Sequence, residues 1–207
     1  MARNKDLFGG ASGRIGNVIA YEMYGKSYMR SLPGQFHDRK SVRQLAQRQR
    51  MQLVNAFLGP YKDVLRMTFQ HQANGRSAFH VAKSYNLLHA IEGAYPEQYV
   101  NHSKALVSMG KVPLPSNAEI SQEPGGIRIT WHNDLQASPF DTLMVIANRR
   151  GEYNTAFKHT AVARQEGNYF WNIDLVGGET YDLWMVFRDY RERDFSNSFY
   201  LGAVDGL

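Results

Sequence analysis

At Pro113-Leu-Pro115-Ser-Asn117 the spacing of the apolar residues changes, and no one element can run through that change. Proline fixes φ, lacks an N–H and drives the residue before it out of the helical region, so two prolines in three positions end any helix upstream. Before this point apolar residues recur at helical spacing; after it, short apolar runs recur with turn residues between them. The chain therefore reads as α+β, an N-terminal β-hairpin with two or three helices followed by a C-terminal antiparallel β-sandwich. The expected divisions are 1–112 for hairpin and helices, 113–117 for a linker and 118–207 for the sandwich. A chain of 207 residues with 43% hydrophobic content can fill two such cores.

The hairpin signal lies in Phe8 to Pro33, FGGASGRIGNVIAYEMYGKSYMRSLP, where glycine punctuation is densest. Arg14 to Met23 is β-branched and aromatic, Tyr24-Gly25-Lys26 can turn with Gly25 at positive φ, and Ser27 to Leu32 can return. In one continuous strand Ile15, Asn17, Ile19, Tyr21 and Met23 share a face, opposite Gly16, Val18, Ala20 and Glu22. Neither face is cleanly polar, so both are expected to touch protein; Ile15, Val18, Ile19, Tyr21, Tyr24 and Tyr28 are the expected assembly residues. GASGRIG, residues 10 to 16, is similar to the glycine-rich turn of dinucleotide-binding dehydrogenases, but that chemistry needs a buried strand before the turn and an apolar-faced helix after it. Met1 to Leu7 is no such strand, and Asn17-Val-Ile-Ala-Tyr favours strand over helix.

Charge is as uneven as the apolar pattern. The first 50 residues hold ten Lys and Arg against three acids; the rest hold 14 against 16, so the whole positive excess sits at the front. Arg14, Lys26, Arg30, Arg39, Lys40, Arg43, Arg48 and Arg50 are the expected contacts to nucleic acid or another acidic partner, with Tyr21, Tyr24 and Tyr28 near enough to stack. Ser41 followed by Gln44 marks a helix start; Val42, Leu45, Ala46, Leu53, Ala56 and Phe57 fall on its apolar side, and Gly59-Pro60 ends it. Further helices are expected from Tyr61 to about Phe69 and from near Ser77 to Ile91, and a short strand around Ala105 to Met109.

Downstream, strands are expected at 118–123, 126–132, 142–148, 156–165 with an interruption, 169–174, 181–189 and 196–202. Ile127, Ile129 and Trp131 alternate with Arg128, Thr130 and His132, so one face of that strand is core. The run LVGGETYDLWMVF, Leu175 to Phe187, resembles the corner of fibronectin type III domains at which a tyrosine after a glycine-bearing turn bonds back to the backbone, here Tyr181. ITWHND, residues 129 to 134, is similar to the early tryptophan-bearing strand of the same domains. More broadly, GxxGNVxxY, RxxP, a glutamine-rich helix, SYNLxHAI and SNSxYLG resemble an uncharacterised family of bacterial proteins of about this length. That resemblance implies a two-part architecture and no activity.

Zero cysteines exclude disulfides, thiolate metal sites and cysteine nucleophiles. His71, His80 and His89 recur at nine-residue spacing without an HxxxH or HExxH pair, no serine lies in a GxSxG elbow, and Asp189, Glu192 and Asp194 interleave with arginines as in a charged loop. No catalytic, cofactor or metal residue is expected, and no membrane span or secretory signal is visible, which fits the cytoplasm or an assembled particle. The expectation is a non-enzymatic structural protein working by association with copies of itself or in a phage-like or other multi-subunit particle. The alternatives are nucleic-acid binding through the basic front and carbohydrate or surface adhesion through the sandwich.

Overall fold

Gly16 divides the first expected strand. In the computed structural model, which describes residues 2–3, 12–35, 38–133, 136–153 and 155–206, this glycine takes φ +57 and the chain reverses over Gly16-Asn17. The run over 14–23 is thus not one strand but two. Strands β1 (Ala2–Arg3), β2 (Gly13–Ile15), β3 (Val18–Met23) and β4 (Lys26–Ser31) form an antiparallel sheet in the order β1-β4-β3-β2. The second turn falls where expected: Tyr24 and Gly25 have φ of 53 and 69, the paired positive values that match a two-residue turn to strand twist. Because Ile15 pairs with Val18 across the new turn, it shares the face of Val18 and Ala20, opposite to that expected from a continuous strand. These strands belong to a unit spanning Met1–Ser41; the other unit is Val42–Leu207.

The second unit is α+β, with three helices among its described residues and several antiparallel sheets. Helix α1 (Val42–Leu58) stops at Gly59-Pro60, α2 (Lys62–Thr68) follows at once, and α3 (Ala78–His89) starts where Ser77 accepts the His80 N–H at 3.2 Å. A short pair, β5 (Ile91–Glu92) and β6 (Tyr99–Val100), leads into the β-rich part. There β7 (Ala118–Glu123), β8 (Gly126–Trp131) and β11 (Asn168–Asn172) make a sheet in the order β11-β8-β7. The other large sheet runs β10-β9-β12-β13, from β9 (Thr142–Arg149), β10 (Thr155–Lys158), β12 (Thr180–Arg188) and β13 (Phe199–Asp205). The expected strand over 156–165 is therefore short, and its second half holds the 3₁₀ turn Arg164–Glu166.

Strands β9 and β12 are buried on both faces, which explains their continuous apolar runs. Met144, Ile146, Trp184 and Val186 join Leu58, Tyr61, Leu65 and Phe69 of the helical part in one cluster. Leu143, Val145, Leu183, Met185 and Phe187 join Ile127, Ile129, Trp131 and Trp171 in another. The linker expected at 113–117 lies inside this unit, and the first cluster unites residues from either side of it. The strand expected at 105–109 does not form. Ala105 to Ser108 is buried but pairs with side chains: Asn86 brackets Leu106, the Val107 N–H donates to Ser198 Oγ at 3.0 Å, and the Thr68 hydroxyl donates to the Val107 carbonyl at 2.9 Å. No helix of the described residues is long and apolar enough to cross a membrane.

Candidate functional site

In the Met1–Ser41 unit the register gathers some of the expected contacts and separates others. Arg14, Ile19 and Arg30 lie in one cross-strand row, Tyr21 and Tyr28 in the next but one, and Met23 and Lys26 beyond. Directly opposed residues share a face, so Arg14, Lys26 and Arg30 surround the two tyrosines with no acid among these rows. The rings are stacked with centroids 5.7 Å apart, and the Arg30 guanidinium stands 5.9 Å from the Tyr21 ring centroid. Arg14 donates from Nε to the Gly16 carbonyl at 3.0 Å, which ties it to the adjacent turn. Ile15, Val18, Ala20 and Met29 lie on the opposite face, and Tyr24 sits exposed in its turn. The expected assembly residues are thus split between a cationic, aromatic face that holds Ile19, Tyr21 and Tyr28 and a mainly apolar face that holds Ile15 and Val18 with Glu22 at its turn end.

The cations after the hairpin do not form a single stripe. Arg39 and Lys40 are exposed, with the Lys40 N–H donating to the Asp38 carboxylate at 3.1 Å. On α1, Arg43 and Arg50 lie about 20° apart around the axis while Arg48 lies about 140° from Arg43. Arg50 is half-buried and donates from Nη2 to the Leu87 carbonyl of α3 at 2.6 Å, so its charge joins two helices.

A cleft of about 460 Å³ in the Val42–Leu207 unit had no counterpart among the expected sites. The end of α1 supplies Leu53, Ala56 and Phe57, the α1–α2 junction Pro60 and Tyr61, the turn after β9 Arg150 to Tyr153, and β12 the inward Asp182. Asp182 is 5% exposed at its side chain and accepts a fork from Arg150, Nε to Oδ2 at 3.0 Å and Nη2 to Oδ1 at 2.8 Å. The Tyr200 hydroxyl donates to the same Oδ1 at 2.7 Å. Burial alone lifts a carboxyl pKa, but here the hydrogen bonds from Arg150 and Tyr200 outweigh it and hold Asp182 below the usual carboxylate value. Burial and the bond to Asp182 push the Tyr200 phenol up to about 12.

His102 places Nε2 at 3.9 Å from Asp182 Oδ2, too far for a hydrogen bond, and stacks on Tyr200 at 5.5 Å. Burial lowers its pKa against the pull of Asp182, which favours the neutral ring. Tyr61, whose phenol is raised by burial, accepts the Trp184 indole N–H at 3.1 Å and is fixed in the wall. The cleft thus presents an internally neutralised polar floor between aromatic walls. Its one local signal in the sequence is Asp182, an acid within the apolar run TYDLWMVFR. Among the described residues no group of three or more His, Asp and Glu is placed to hold a metal ion. A family model matches residues 10–202, and its description is Family of unknown function (DUF6266). No curated protein and no solved structure matches the chain.

Proposed function

We propose that this chain, which belongs to that family of unknown function, is a non-enzymatic protein that works by association with further copies of itself. The observation that carries the reading is that, of the side chains from Gly13 to Ser31, only Ala20 is buried. A sheet of such short strands gains too little from its own burial to stand alone, and among the described residues β2 is an edge strand that can take another strand. Like charges oppose packing of the Arg14, Lys26 and Arg30 face on its own copy. The Ile15, Val18 and Met29 face carries one charge, Glu22 at its turn end, and its apolar remainder suits a two-fold contact in which the same patch meets itself. Light scattering on the eluting full chain should give a mass that grows with concentration and falls to one chain in Ile15→Glu with Met29→Glu. A one-chain mass for the unaltered protein throughout the series removes the reading.

The remaining strands support a fibronectin type III-like sandwich as the scaffold. Its first, second and fifth strands share one sheet and its third, fourth, sixth and seventh the other, with a common apolar cluster. The Val176 N–H donates to the Tyr181 hydroxyl at 3.1 Å, a tyrosine bond back across the glycine turn. A second reading, single-stranded nucleic acid on the cationic face, is favoured by the tyrosine pair ringed by Arg14, Lys26 and Arg30. It requires binding to a labelled oligonucleotide that weakens steeply with salt, and a slope of log K against log salt that shrinks by about 2 when all three become glutamine. An unchanged slope removes it.

A further inference from the structure

We infer that the cleft between the end of α1 and the turn after β9 is a binding site for a neutral oligosaccharide. The inference goes beyond association through the small sheet and uses none of its residues. Tyr99 and Tyr153 line the cleft at 52% and 79% exposed, and Phe57 and Tyr61 continue the aromatic lining inward. The electron-rich faces of such rings attract the polarised C–H groups that cover one side of a pyranose. A volume of about 460 Å³ lies within the range of small-molecule clefts and exceeds what solvent alone needs.

The polar groups define the class of ligand. Arg150 is neutralised by Asp182 and Glu152 by Arg149, so the floor and rim offer hydrogen bonds without net charge. Arg150 spends Nε and Nη2 on Asp182 while about half of its side chain stays exposed at the cleft (51%), and His102 reaches the cleft with Nε2 bonded to neither oxygen of Asp182. A sugar hydroxyl, both donor and acceptor, can use these groups without breaking a pair, whereas an anion would meet a guanidinium whose charge Asp182 already neutralises. The site is also preformed. Tyr61 is fixed by Trp184, Asp182 by Tyr200, and the Thr155 hydroxyl donates to the Pro60 carbonyl at 2.9 Å, tying β10 to the α1–α2 junction.

The test is saturation-transfer NMR and titration of the full chain with neutral trisaccharides, glucose-, galactose-, mannose- and N-acetylglucosamine-based, beside uronate and sulfated counterparts. The expected result is millimolar or tighter binding of at least one neutral sugar and at least a tenfold loss with Tyr153→Ala. Tyr153 is mostly exposed, so that variant should keep the wild-type melting temperature. Binding of none of the neutral sugars, binding of the anionic ones alone, or binding untouched by both Tyr153→Ala and Tyr99→Ala each overturns the inference.

Discussion

Asn86 is a fully buried polar side chain in the middle of α3. Its amide donates to the Ala82 and Leu106 carbonyls, and its oxygen accepts the Leu106 N–H, each at 2.9 Å. It therefore does for the Leu106 backbone what a neighbouring strand would do. Replacing it with alanine leaves both backbone groups of Leu106 buried without this partner, so Asn86→Ala should cost about 2–4 kcal/mol, read from urea unfolding. Asp182 gives a pH-dependent case. Its folded pKa lies below the unfolded one, so its contribution is present at neutral pH and is lost as pH falls through the usual carboxylate range toward the folded value. His102, also lowered, shifts stability in the same direction at higher pH, because protonation is easier once the chain unfolds. The stability gap between the unaltered chain and Asp182→Asn should be about 2 kcal/mol at pH 7 and shrink steadily as pH falls below about 4, as the acid protonates and comes to resemble the amide. A gap of constant size from pH 7 to 3 would show that the charged form of Asp182 contributes nothing.

Elements whose partners are local were legible in the sequence. The three helices, the Tyr24-Gly25 turn and most of the β-rich strands follow from apolar period, caps and glycine. Two errors have physical causes. Val18 and Ile19 favour strand so strongly that the chain from Arg14 to Met23 read as continuous, while positive φ at Gly16 was the deciding term. Ala105 to Ser108 read as a strand because it is apolar and extended, but its partners are Asn86, Thr68, Ser196 and Ser198, the serines nearly 90 positions away. The runs SYNL and SNS were visible as motifs; that they replace a sheet edge was not. Likewise Arg50 counted as surface charge until its bond to the Leu87 carbonyl placed it between helices.

Across the whole molecule, the two compact units meet in sequence at Ser41 and Val42, not at the prolines, because helices and β9–β12 share a core. Composition located the front-loaded charge, and register then put Arg14, Lys26 and Arg30 on one face of a sheet with little burial. The cleft was not legible, since Phe57, His102, Arg150, Asp182 and Tyr200 are brought together from across the chain with no fixed spacing. The proposed completion of the small sheet by another copy is tested most directly by amide hydrogen exchange followed over a range of protein concentration. Amides of 13–31 should gain protection as concentration rises, while those of 142–149 and 180–188 stay constant. Protection over 13–31 that is the same at every concentration would contradict it.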